Sequence, residues 1–244
     1  MFFAKKKENV LNVRISSRYF SENINELIAK TRVPGWFKDL KPLTDHPDTR
    51  FQLADEYPES DFVFGTVKSC PGIVDIFTNS YSLLSPCDFT IKIDHEENTW
   101  QWISPWNRFD ISGHNLSAQT GPNSILTKNY MNLKINIPAW LTCNQKCRLV
   151  YLPPMYHTYS KLTTLVGTAP INPKVGVQLN VNTIIDINGK SGIEFIDFKK
   201  GDVLAYMYSP DLMFDKIEAT YSSKEEVYEE KMLFKNDFAR RGAT

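Results

Sequence analysis

The sequence has no excess of either charge: 28 basic residues stand against 28 acidic ones, for a net charge of zero. A nucleic-acid-binding domain ordinarily carries a basic surplus to meet phosphate, so the balance gives no support to a nucleic-acid partner. Long apolar runs are missing too. No stretch approaches the roughly 20 residues that span a bilayer, so no membrane partner is expected. The opening Met1-Phe2-Phe3-Ala4 leads into Lys5-Lys6-Lys7 rather than into an apolar stretch, which is not the order of a secretory leader. No secretion is therefore expected, and the triplet Asn115-Leu116-Ser117 carries no glycan on this reading. Cysteine is scarce, with only Cys70, Cys87, Cys143 and Cys147, which in a non-secreted chain read as reduced packing thiols. Histidine is as scarce, and no pair shares a strand as a cupin metal site requires.

What is present is enough to build a core. Of 244 residues, 42% are hydrophobic and 13% aromatic, which excludes a disordered chain and suits one large domain with appendages. From residue 61 to 210 the apolar pattern has period two. Phe89, Ile91 and Ile93 alternate with polar residues, and Trp100 and Trp102 follow the polar turn 94–98, which predicts a hairpin. Met131, Leu133, Ile135 and Ile137 form a second alternating set, and Val175, Val177, Leu179 and Val181 a third. Asn188-Gly189 has the chemistry of a type I′ hairpin, with residues 193–198 as the returning strand. Residues 203–208 form one more strand after the turn Lys200-Gly201-Asp202.

Outside this block, residues 1–60 read as an N-terminal appendage that packs on the core, and residues 211–244 as a C-terminal helical extension. A short helix is expected from Ser21 or Asn23, with Ile24, Leu27 and Ile28 on one face. The apolar segment 36–40 is expected to dock on the main domain. Residues 106–129 read as a long loop, and the charged stretch 222–241 as a helix with a narrow apolar side.

Candidate chemistry is thin. Cys143 and Cys147 flank three residues, but a tetrahedral zinc ion needs two further ligands, and the plainer reading is two thiols facing across a hairpin turn. His46-Pro47-Asp48 has the His-x-Asp spacing of an iron facial triad, with His46 and Asp48 as ligands, but it lies in a Pro-rich polar stretch. His114 and Gln119 share the long loop, where they order it or hold a ligand. Trp106 belongs to an aromatic-rich middle suited to a core, a groove or an interface, and Asp202 stands at the end of a strand, where carboxylates more often fix turns than catalyse. No cofactor is expected.

The order of motifs resembles the β-clip fold of the dUTPase and dCTP-deaminase families. It runs from Gly72-Ile73-Val74-Asp75-Ile76-Phe77, through Ile135-Asn136-Ile137-Pro138 and Leu152-Pro153-Pro154, to Gly201-Asp202 before the last strand. The resemblance implies an early strand at 72–77. It also implies a nucleotide site that this chain lacks. Leu152-Pro153-Pro154-Met155 stands where that family has a phosphate loop, and residues 167–172 hold no carboxylate to act as a base. A closer likeness is to an uncharacterised family of T4-like bacteriophages and bacteria. It rests on Trp36-Phe37-Lys38-Asp39, Thr66-Val67-Lys68-Ser69-Cys70-Pro71, His114 with Gln119, Leu152-Pro153-Pro154-Met155 and Lys200-Gly201-Asp202. That family carries no established activity.

The expectation is thus a mainly β protein, a β-clip-like or jelly-roll-like distorted barrel or sandwich with an N-terminal appendage and a C-terminal helix. Its expected role is non-enzymatic: a phage-type module, in the cytoplasm of an infected or bacterial cell or in a virion, that assembles with itself or binds a protein partner. The alternative is a divergent nucleotide hydrolase or an iron oxygenase, in which His46, Asp48, His114 or Asp202 converge on a pocket.

Overall fold

The computed structural model describes residues 8–41, 43–44, 64–106, 110–114, 123, 129–154, 162–223 and 225–227. The alternating stretches are strands. They are β1 (Val10–Ile15), β2 (Ile28–Lys30), β3 (Leu43–Thr44), β4 (Phe64–Gly65), β5 (Tyr81–Leu84), β6 (Phe89–Asp94), β7 (Thr99–Ile103) and β8 (Asp110–His114). Then come β9 (Tyr130–Cys143), β10 (Cys147–Leu152), β11 (Leu162–Thr164), β12 (Gly167–Ile171), β13 (Val177–Asp186), β14 (Ile193–Phe198), β15 (Val203–Tyr208) and β16 (Lys216–Tyr221). Among the helices are α1 (Arg18–Glu22), α2 (Gly35–Asp39) and α3 (Pro71–Asn79). The protein is mainly β, and no barrel closes among the described residues. None of their helices is long and apolar enough to cross a membrane.

The chain divides into two units, one made of residues 1–30 and 81–244 and the other of residues 31–80. In the first, β11-β13-β9-β1-β16 form one sheet, with β8 also on β9. A five-stranded sheet runs β12-β10-β15-β5-β2, and a three-stranded one runs β14-β6-β7. Side chains from all three meet in one buried cluster, including Leu11, Ile135 and Leu179, Leu83 and Met207, and Ile91 and Phe198. Alternate residues of each strand point to this cluster, which is why the period-two sets were legible.

Strand β9 is the spine. One of its edges pairs with β13; the other pairs with β8 over residues 132–136 and with β1 over 139–143. Pro138 sits in the gap between these two partners, where a ladder N–H is not needed. Its carbonyl still accepts from Ser16 N at 3.0 Å. The β13 register slips at the same place, between Gln178 and Asn180. Close by, Gly176 runs so near β9 that a Cβ would collide with Trp140 and the Leu141 carbonyl.

Several expectations are corrected. Residues 10–15 are a fully integrated strand rather than part of an appendage, and residues 216–221 pair with them in parallel at the edge of the same sheet. The first helix starts at Arg18 with Ser17 as its cap. Only a 3-10 turn spans Ile24–Glu26, and Ile28 belongs to a strand. Residues 72–77 are helical: Pro71 takes the first position of α3, where its missing N–H costs nothing. Part of the long loop is β8. At Asn188-Gly189 only the glycine has positive φ, at +66°, so the turn is not type I′. Residues 193–198 do not return along β13 but join β6 in another sheet. Of the expected C-terminal helix, one short turn at 225–227 is described, and the rest lies outside the described residues.

The second unit is an excursion between two neighbours, since β2 and β5 pair directly, with Lys30 opposite Tyr81. Its ends are tied by Thr31 N to the Ser80 carbonyl at 3.1 Å and by their buried hydroxyls at 2.8 Å. Inside it, Phe37 on α2 meets Phe77 on α3 edge to face, with centroids 4.9 Å apart. β3 and β4 pair as a short ladder.

Candidate functional site

The three-stranded sheet has two chemically different faces. Phe89, Ile91 and Ile93 of β6 and Ile196 and Phe198 of β14 point inward and are buried. The pairing then puts three rows on the other face: Ile193, Asp94 and Thr99; Phe195, Lys92 and Gln101; Asp197, Thr90 and Ile103. Ile103 is 71% exposed, Phe195 57% and Ile193 55%. Both outer strands, β14 and β7, have an unpaired edge among the described residues.

At the end of this sheet lies an open depression of about 510 Å³, lined by His95, Lys190, Ser191, Ile193, Glu194 and Phe195. The His95 side chain is 2% exposed, and its Nε2 lies 2.9 Å from Glu194 Oε2, itself on a side chain 10% exposed. Lys190 Nζ approaches the same oxygen at 3.3 Å. The imidazole therefore meets a carboxylate that a lysine also neutralises, the usual condition for burying an acid. Its Nδ1 is buried without a partner. The hairpin turn places His95 here: Asp94 Oδ1 accepts from the N–H groups of Glu96 and Glu97, Asn98 takes a φ of +49°, and His95 N donates to the Gly192 carbonyl at 3.0 Å.

The residues singled out in the sequence lie elsewhere. Asp202 fixes a turn: its Oδ2 accepts from Lys199 N at 2.8 Å and its carbonyl from Ser85 N at 2.7 Å, while Gly201 takes a φ of +91°. Trp106 packs edge to face on Phe20, with centroids 5.3 Å apart, and its backbone N–H donates to Ser104 Oγ at 3.1 Å. A hydrogen-bonded chain links the two. Ser85 Oγ donates to the Cys87 carbonyl at 2.7 Å, and Cys87 Sγ meets Ser104 Oγ at 3.1 Å. His114 ends β8 opposite Asn132. Gln119, His46 and Asp48 lie outside the described residues.

Cys143 closes β9 and Cys147 opens β10, and both are buried free thiols. The strands they end belong to different sheets, so the turn is not a paired hairpin. The neighbouring Cys147 side chain, with the N–H groups of Gln145 and Asn144, holds the Cys143 thiol below its usual range. The neighbouring Cys143 side chain and burial push Cys147 well up.

His95, Glu194 and the outward apolar trio were not singled out from the sequence. Strand β14 reads Ile-Glu-Phe-Ile-Asp-Phe, in which each parity holds two apolar residues and one acid. Alternation cannot say which set is buried. Comparison with protein-family models, with curated proteins and with solved structures finds no match to this chain.

Proposed function

We propose that this chain is a non-enzymatic, phage-type β module that assembles with a second copy of itself through the outward face of β14, β6 and β7. The observation that carries this is the exposure of Phe195 and Ile193 on β14 and of Ile103 across the sheet on β7, all on one face of a sheet whose two edges are unpaired among the described residues. Large apolar side chains grouped on an open sheet face are a liability unless something covers them. The charges on that face favour a second copy as the cover. Lys92 has no ion-pair partner among the described residues and lies between Asp94 and Asp197, so a two-fold contact sets each lysine against an acid of the other copy. The likeness of Trp36-Phe37-Lys38-Asp39 and Lys200-Gly201-Asp202 to a phage family supports a structural role in an infected cell or a virion.

Light scattering coupled to size exclusion tests the reading. The intact chain is expected to run as a dimer or larger, and Phe195→Glu as a folded monomer. Val166→Glu, at a site 65% exposed outside this sheet, leaves the assembly intact. A chain that stays monomeric at high micromolar concentration, or an assembly indifferent to Phe195→Glu, overturns it.

A further inference from the structure

The edge strands of this fold are not protected alike. Strands β2 and β11 offer three residues each, β12 carries Pro170, and β16 displays Lys216 and Glu218. Short length, proline and charge are the usual means of keeping a strand edge from pairing with another chain. None of these blocks β14. It pairs with β6 over all six of its residues, with no slip in register. It holds no proline or lysine, and its two acids are engaged within the chain: Glu194 with His95 and Lys190, and Asp197 Oδ1 with the Thr90 hydroxyl at 2.6 Å.

The phase of the β14–β6 ladder decides which backbone groups this edge presents. His95 N donates to the Gly192 carbonyl, one pair beyond Ile193 and Asp94. In an antiparallel ladder, hydrogen-bonded pairs alternate with pairs that make no bond. Glu194, Ile196 and Phe198 therefore bond to β6, while Ile193, Phe195 and Asp197 turn their N–H and C=O groups away from it. No other strand among the described residues takes those groups, and the side chains of the same three residues are exposed.

We propose that this edge pairs, antiparallel, with β14 of a second copy, with Phe195 on the two-fold axis. The inference deepens the reading above, on which it rests for the identity of the partner. The strand's own residues select the register. With the axis at Phe195, that ring meets its own image and Ile193 meets the partner's Asp197, so the outward N–H and C=O of all three residues are matched in both copies. With the axis at Glu194, that acid opposes its own image and Asp197 is left unmatched. With the axis at Ile196, Phe195 opposes an acid and Ile193 is left unmatched. The Phe195 register keeps like charges apart and sets two aromatic rings side by side. The pairing uses the edge and leaves the outward face of the sheet accessible, so one chain can make both contacts.

Residue-resolved amide exchange of the assembled full chain tests the pairing. The amides of Ile193, Phe195 and Asp197 are expected to exchange as slowly as that of Ile196, and those of Ile193 and Asp197 to open in the Phe195→Glu monomer. Asp197→Pro gives a second readout. The Asp197 N–H points away from β6, so a proline there leaves the ladder intact. That variant is expected to fold and to assemble at least about tenfold more weakly than Asp197→Asn, which keeps the N–H. Amide exchange of the wild-type chain decides the matter alone if the proline variant fails to fold. An assembly in which the three amides stay open, or one equally strong with Asp197→Pro and Asp197→Asn, overturns the edge pairing and leaves the face contact standing. A chain that stays monomeric overturns both.

Discussion

The two units of this chain are built on opposite principles. Residues 1–30 and 81–244 are held by pairings between segments far apart in sequence; β1 lies beside β16, and β9 touches β13, β8 and β1. Among the described residues of 31–80 the contacts are nearer in sequence and include the Phe37–Phe77 pair, a two-residue ladder and a hydrogen-bonded neck. The first buries a continuous set of aliphatic side chains, whereas Phe37 and Phe77 are the buried large hydrophobics described in the second. A β fold of high sequence separation gains stability from its shared core, and a small excursion gains it from a few contacts and a closed neck.

The contrast can be broken from either side. The largest effect is expected at the spine. Ile135→Ala in β9 leaves a cavity in the shared core and should lower the unfolding free energy by about 2–5 kcal/mol, measured by denaturant titration. A loss below 1 kcal/mol would show that β9 is not the spine. A smaller, local effect is expected at the neck. Thr31→Val strips the buried Ser80 hydroxyl of its partner and should cost about 1–3 kcal/mol. Amide exchange should rise across residues 31–80 while the β9 amides keep their protection; uniform loss of protection would mean the two units open as one.

The smallest effect is electrostatic and belongs to the larger unit. The Lys200 ammonium, with the Tyr19 hydroxyl, holds Glu26 below the usual carboxylate range; the Lys200 backbone N–H does the same for Asp88, and Arg148 for Asp211. A depressed folded-state value stabilises the fold above the unfolded value and is lost as pH falls through the folded one. Melting temperature should therefore decline gently as pH drops below about 4. All three carboxylates are exposed, so the decline should be small and should flatten further in high salt.

Legibility followed the same division. The alternating sets at 89–93, 131–137 and 175–181 became β6, β9 and β13, with Val175 just outside β13, because a half-buried strand writes its buried face into every second residue. The helix at 71–79 was missed because motif order outweighed Pro71, whose place just inside a helix start was itself a readable signal. Strands β1 and β16 went unread because each finds its partner at the other end of the chain. In the candidate interface the difficulty was parity. Glu194 is turned inward only because His95 and Lys190 reach it there, and Phe195 outward only because Ile196 and Phe198 fill the core.

The sequence by itself determined that this is a mainly β protein with several half-buried strands, a turn at Gly201-Asp202 and two cysteines on either side of another turn. These are local properties, carried by side-chain period, turn chemistry and spacing. Only the tertiary structure decided which strands pair, that the two ends of the described fold lie side by side, and which face of β14 meets water. Those choices depend on partners distant in the chain, and no local pattern encodes them.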